Sequence, residues 1–275
     1  MLFDLIDTAP VICCAFDLDH KLTYINSYGA NIFKIKQAES IGLPMSDLPC
    51  EKGSGINKQY IEQVLNDETV NFNGYFINNN GTIHYYSATL SPIKDKLIIT
   101  GFAVLFINKT EEKRLEYLSN IDSMTLVCNR RKFENDLHLT LSDKPDVNYG
   151  LIILDIDNFK QINDLNGHNC GDTVLSRIGD ILKNIINPLG KVYRIGGDEF
   201  AIILFNINDK STLKNVSEEI RYKIESTSIL DNTVITISLG ATIYSCNNNR
   251  KNLLKTTDNA LYHSKLTGKN KVSYA

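Results

Sequence analysis

Four carboxylates stand where two strand-like patterns stop. The run ILDID closes an apolar stretch with Asp155 and Asp157, and KVYRIGGDEFAIIL, residues 191–204, carries Asp198 and Glu199 directly after a glycine pair. β-formers flank Gly196 and Gly197 on both sides, so the second segment reads as a hairpin with acids at its tip. If the first strand and the hairpin are sheet neighbours, Asp155 and Asp198 face each other. Carboxylates that close repel strongly unless one is protonated or a cation sits between them. Hard oxygen ligands suit Mg²⁺, which takes one or two carboxylates and completes its shell with waters and substrate phosphates. The glycines allow a tight turn and the close approach of a nucleotide. A solvated hairpin with exposed acids is the competing reading of the tip alone, and the matching ILDID strand weighs against it.

Other phosphate and metal motifs are excluded. DIDNFKQINDLNGHNCGD, residues 155–172, places Phe159 and Lys160 where a calcium loop of the EF-hand type needs Asp or Asn and then Gly. No GxxxxGK[ST] loop is present, and no GxGxxG follows a strand.

The elements that must position these acids alternate. A helix is expected over about 130–141, a strand over 149–154, helices near 158–163 and 172–186, the hairpin over 191–205, and a helix over 211–225. A strand over 234–242, a helix over 251–265 and a short end strand complete the half. The core order of strand, helix, hairpin, helix, strand is the split βαβ, ferredoxin-like arrangement. The first ~110 residues differ. Strands are expected over 11–16, 22–25, 70–77, 82–89 and 97–106, with helices over 26–33 and 57–65 and turns at NNNG (78–81) and IKDK (93–96). That order fits a small antiparallel sheet with helices on one face. Between the halves, KTEEKRLEYLSN, residues 109–120, has no glycine or proline and reads as a stiff helical connector. It is either a surface helix or one that pairs with its copy in a dimer. The fold class is therefore α+β, in two domains.

Composition narrows the function class. A net charge of −3 over 275 residues gives no electrostatic footprint for nucleic acid. The longest apolar stretches, 11–16 and 97–107, fall well short of the ~20 residues that span a bilayer. MLFDLIDTAP has no basic region before its apolar residues, so no signal peptide is expected. The six cysteines at 13, 14, 50, 128, 170 and 246 show no CxxC spacing and read as reduced thiols of a cytoplasmic protein.

Residues 122–275 resemble the GGDEF family, the diguanylate cyclases. RIGGDEFAI is the complete signature, DIDNFKQINDLNGHNCGD is similar to the family's second block, and ALYHSKLTGKNKV resembles its C-terminal block. The resemblance implies a palm-type, ferredoxin-like domain that joins two GTP molecules into cyclic di-GMP with loss of two pyrophosphates. It implies Mg²⁺ or Mn²⁺ held by Asp155, the Ile156 carbonyl, Asp198 and Glu199. Asp198 and Glu199 are the catalytic candidates, and Asp198 assists deprotonation of the 3′-hydroxyl. By the same resemblance Asn163 and Asp172 recognise guanine and His168 lines the nucleotide site. Phe159 and Lys160 offer main-chain N–H groups to phosphates beside Gly196 and Gly197, and Lys265 and Lys269 bind the triphosphate. A carboxylate at 172 accepts from guanine's Watson–Crick N–H groups, which adenine cannot match.

Two departures stand out. The domain start, DSMTLVCNRR (122–131), has Leu126 where relatives carry glycine, which puts the local turn in doubt. NPLG (187–190) replaces the RxxD of many relatives, so no product inhibition is expected through that site.

Residues 1–108 resemble a PAS sensor domain through FDLDHKLTYIN, ESIG and NNNGTIHYYSATLSPIKD. Its ligand is not legible: His20 falls in a turn and His84 in a strand, not on the helix that holds haem in some relatives. The implied organisation is a PAS domain over 1–108, a connector over 109–121 and a GGDEF domain over 122–275. Catalysis would need a homodimer, with GTP as substrate and neither nucleic acid nor membrane as partner. A nucleotide-binding module without turnover and a cyclase-like enzyme for another nucleotide remain alternatives.

Overall fold

The computed structural model of the protein describes residues 6–48, 56–77, 82–142, 148–207, 209–231, 233–244 and 252–275. The expected turn at 78–81, Cys50, Cys246 and the start of the helix at 251 lie outside them. The chain divides into two compact units, Met1–Glu116 and Tyr117–Ala275.

In the first unit, alternation sets which side of each strand is buried. β1 (Ile12–Asp17) turns Ile12, Cys14 and Phe16 inward while its other residues stay partly exposed. With β2 (Leu22–Ile25), β3 (Val70–Ile77), β4 (Ile83–Asp95) and β5 (Ile98–Asn108) it forms a five-stranded sheet in the order β2-β1-β5-β4-β3, antiparallel throughout. Helices α1 (Ser27–Phe33) and α3 (Lys58–Leu65) supply Ala30, Phe33, Ile61 and Val64 to the same core, and the short α2 (Gln37–Ser40) comes between them in the chain. β4 runs six residues past its expected end and through Pro92. Its partner β3 begins opposite Leu90, so Pro92 lies on an open edge where its missing N–H leaves no ladder bond unmade.

Helix α4 (Thr110–Asn120) follows β5 and buries none of its residues. Asn108 caps it by accepting from the Thr110 N–H at 2.8 Å. Ion pairs such as Lys113–Glu116 line its surface, and exposed pairs of this kind stabilise a helix only slightly.

In the second unit, β6 (Cys128–Asn129), β7 (Tyr149–Ile156), β8 (Gly190–Arg194), β9 (Glu199–Leu204), β10 (Ile237–Tyr244) and β11 (Val272–Tyr274) form a sheet in the order β11-β10-β7-β9-β8-β6. Its four central strands are antiparallel, β10-β7-β9-β8, as a ferredoxin-like fold requires. Helices cover both faces. Ile152, Leu154 and Ile156 meet α6 (Phe159–Asn166), α7 (His168–Ile186) and α8 (Lys210–Ser226). Leu151 and Ile153 meet α5 (Arg130–Ser142) and α9 (Leu253–Leu266). A strand buried on both faces needs an unbroken apolar run, which is why LIIL shows no alternation. α7 starts at His168, four residues earlier than expected. Gly167 adopts φ +83°, ends α6 and lets the next helix begin at once.

Candidate active site

The acids sit where β7 and β9 meet the end of the sheet. Asp155 lies directly opposite Glu199 in the β7–β9 register, and the Ile156 N–H donates to the Asp198 carbonyl at 3.3 Å. Asp155 therefore faces Glu199 rather than Asp198, which stands one residue further out at the hairpin tip. Directly opposed side chains on an antiparallel pair have Cβ atoms about 4.5–5.5 Å apart, so these carboxylates share one small volume. Asp155 is 9% exposed. Burial pushes its carboxyl above the usual carboxylate range, and Asp198 and Glu199 push the same way against the pull of Lys265. Lys265, from α9, reaches it with Nζ 2.7 Å from Oδ2.

The hairpin tip is held in place. Arg194 donates to the Gly197 carbonyl through Nε at 3.2 Å and Nη2 at 2.8 Å, and its Nη1 lies 3.1 Å from Asp122 Oδ1. Asp122 also accepts from the Thr125 N–H at 2.9 Å and hydroxyl at 2.7 Å. Burial opposes ionisation of Asp122, but these donors hold its carboxyl below the usual range. A Cβ on Gly196 would stand 2.6 Å from Glu199 Oε2, so the glycine is what lets that carboxylate fold over the tip. At Gly197 an added Cβ meets open space. The turn that Leu126 put in doubt is formed. Leu126 takes φ +55°, the left-handed conformation that favours glycine, and its N–H donates to the Asp122 carbonyl at 2.9 Å.

The guanine candidates lie on α6 and α7. Asp172, with Met124 and Arg177, lines a cavity of about 420 Å³. Asn163 does not line it. Its Oδ1 is buried with no hydrogen-bond partner, and a Cβ on Gly171 would fall 1.9 Å from that oxygen. An unpaired buried acceptor costs about 1–3 kcal/mol, which a ligand donor reaching that oxygen would recover. His168 is exposed at the first residue of α7.

The phosphate candidates converge on the segment between β7 and α6. Phe159 and Lys160 open α6, whose N-cap residue Asn158 has φ +57° and makes no side-chain capping bond. The N–H groups of such a helix start favour an anion. Lys269 places Nζ 2.5 Å from Asn158 Oδ1, and Lys265 holds Asp155 three residues earlier. Lys265 also lines a second cavity, about 520 Å³, together with Glu199, Arg130, Phe133, Asp258 and Tyr262. Among the described residues no three His, Cys, Asp or Glu side chains form a ready-made metal cage.

Residues 119–271 match the family model described as diguanylate cyclase, GGDEF domain, over more than half of the chain. The chain belongs to the GGDEF family. Residues 6–114 match a PAS fold model. The chain is 34% identical to the uncharacterized protein YhcK of Bacillus subtilis (strain 168), over 77% of this chain and 62% of that protein. It is 31% identical to the diguanylate cyclase DgcM of Escherichia coli (strain K12), over 69% of this chain and 47% of that one. It thus spans about half to three-fifths of these relatives. Among solved structures, the coiled coil and GGDEF domain of DgcB from Caulobacter crescentus, in complex with c-di-GMP, superposes with a TM-score of 0.57 at 27% identity. The match covers 60% of this chain and 90% of that one.

Within the GGDEF domain, three residues that hold the site went unassigned from sequence. Arg194 stands inside the signature and pins the tip. Asp157 shares the ILDID run with Asp155 but turns away from the acids. Asn270 follows Lys269 and hydrogen-bonds Asp157, Arg221 and Glu225. Only Arg194 carried a signal, its place two residues before the glycine pair.

Proposed function

We propose that the chain is a diguanylate cyclase working as a homodimer in the cytoplasm, with its PAS domain governing how often two GTP-loaded GGDEF domains meet. The observation that carries this reading is the register that sets Asp155 opposite Glu199, with Asp198 beside them, inside a complete RIGGDEF signature. In each of two equivalent steps a 3′-hydroxyl oxygen attacks the α-phosphorus of the other GTP. The new P–O bond forms, the bond from the α-phosphorus to the bridging oxygen breaks, and pyrophosphate leaves.

Asp155, the Ile156 carbonyl, Asp198 and Glu199 would hold Mg²⁺ or Mn²⁺, which lowers the hydroxyl pKa and neutralises charge on the phosphoryl group. The hard oxygens of this set fit such an ion. Asp198 takes the hydroxyl proton at its carboxylate. Asp172 accepts from the guanine N–H groups, and the Asn163 amide completes the contact. The α6 start and Lys269 draw in the triphosphate, and Lys265 exchanges Asp155 for a phosphate oxygen as the nucleotide enters. His168, exposed at the start of α7, would line the nucleotide.

The test is incubation of purified protein with GTP and Mg²⁺, with products separated by chromatography. Conversion to cyclic di-GMP that is lost in Asp198→Ala is the expected result. Tight GTP binding with no turnover at any protein concentration supports a silent binding module instead.

A further inference from the structure

Asp157 is 5% exposed, and its carboxylate accepts from the Thr236 hydroxyl at 2.8 Å, the Ser238 hydroxyl at 2.6 Å and the Asn270 N–H at 3.0 Å. It therefore anchors the loop that leaves α9. In that loop Gly268, Lys269 and Asn270 have φ of +117°, +61° and +46°. Glycine adopts such angles freely and asparagine tolerates them, but for lysine they are unfavourable. The surroundings must enforce the turn. The Asn270 side chain accepts from Arg221 Nη1 at 3.0 Å and donates to Glu225 Oε1 at 2.7 Å. Arg221 is itself braced on α8 by Glu218 at 2.9 Å and Glu225 at 2.8 Å. Asn270 is thus held from both sides, by β10 through Asp157 and by α8 through the Arg221–Glu225 pair. Its neighbour Lys269 is left pointing at Asn158, at the start of α6.

We infer that Asn270 is a positioning residue: clamped by Asp157, Arg221 and Glu225, it fixes the left-handed turn that aims the Lys269 ammonium at the triphosphate. The inference rests on the nucleotide reading above. A flexible lysine at this place would pay rotamer entropy on binding phosphate, and a pre-aimed one pays less.

The experiment measures binding of a non-hydrolysable GTP analogue with Mg²⁺ to the full chain by calorimetry. Wild type, Asn270→Gly, Lys269→Ala and the double variant are compared, with melting temperatures alongside. Glycine keeps the left-handed backbone and the N–H to Asp157, so Asn270→Gly removes the side-chain contacts to Arg221 and Glu225 and leaves the Asp157 anchor. The expected result is affinity about tenfold weaker in Asn270→Gly, the scale of one charge-assisted contact, and a double variant no weaker than Lys269→Ala alone. Arg221→Lys, which keeps charge but loses the fork, should weaken binding in the same direction and also have no effect once Lys269 is alanine. Wild-type affinity in both Asn270→Gly and Arg221→Lys, or losses that multiply with that of Lys269→Ala, overturns the positioning role while leaving the nucleotide reading intact. A folded wild-type chain that binds no analogue removes both.

Discussion

Replacing Gly171 with alanine should weaken guanine binding without unfolding the domain. The added Cβ would lie 1.9 Å from Asn163 Oδ1 and 3.1 Å from Phe159 Cζ. A carbon and an oxygen in contact rest about 3.3 Å apart, so the amide must retreat by roughly 1.4 Å. The working range of a hydrogen bond is about 0.5 Å wide, so the guanine contact proposed for Asn163 would be lost. A ligand donor left unpaired costs about 1–3 kcal/mol, or about 5- to 150-fold in affinity. The helix itself gains, because alanine inside a helix is about 0.5–1 kcal/mol better than glycine. Calorimetry with a GTP analogue and a thermal melt separate the two effects. The expected pattern is weaker binding and a raised KM at nearly unchanged melting temperature. Wild-type affinity in Gly171→Ala would refute the assignment of Asn163 to guanine. A collapse of the melt would refute the packing argument.

Three further outcomes follow from the same structure. Leu126 holds φ +55° with its side chain largely exposed, so Leu126→Gly should be about 1 kcal/mol more stable than Leu126→Ala, and equal unfolding midpoints would contradict that backbone strain. Asp136 is buried against Lys132 at 2.8 Å, Lys191 at 3.1 Å and the Tyr193 hydroxyl at 2.9 Å; burial opposes its ionisation, yet these partners hold its carboxyl below the usual range. Its stabilisation is therefore present above the unfolded carboxylate value and lost as pH falls through the lower folded one. Asp136→Asn should cost about 1–3 kcal/mol at pH 7, with the gap to wild type narrowing only once pH falls below the unfolded carboxylate value of about 3.9, and a gap constant with pH would contradict this. With Asn187 and Gly190 where relatives carry arginine and aspartate, titration of cyclic di-GMP into the reaction should leave the initial rate unchanged in the low micromolar range, whereas strong inhibition there would contradict the prediction.

The parts of the site that could be read in the sequence are those that local pattern marks. An apolar run ending in ILDID and a glycine pair between β-formers locate two strand ends, and the ferredoxin-like order makes them neighbours. The register was not legible to one residue, and it is Glu199 rather than Asp198 that stands opposite Asp155. The partner of Asp155 was hidden because Lys265 is more than a hundred residues away and arrives on α9, a separate helix packed on the same face of the sheet. Asp157 misleads by strand alternation, which would put it beside Asp155. β7 ends at Ile156, so the chain has already left the sheet and Asp157 turns to β10. The left-handed turn at 268–270 has one glycine as its only local mark, and the Arg221–Glu225 clamp that enforces it comes from another helix. Leu126 was visible as a departure, but that the turn survives it depends on Asp122 and Arg194, which only the folded domain brings together.

The most direct test is diffraction from crystals grown with Mn²⁺ and a non-hydrolysable GTP analogue, using the anomalous signal of the metal. The account predicts a manganese peak between the Asp155 and Asp198 carboxylates, in contact with phosphate oxygens, with Lys265 released from Asp155. Bound nucleotide with those carboxylates pointing apart and no peak between them would contradict it.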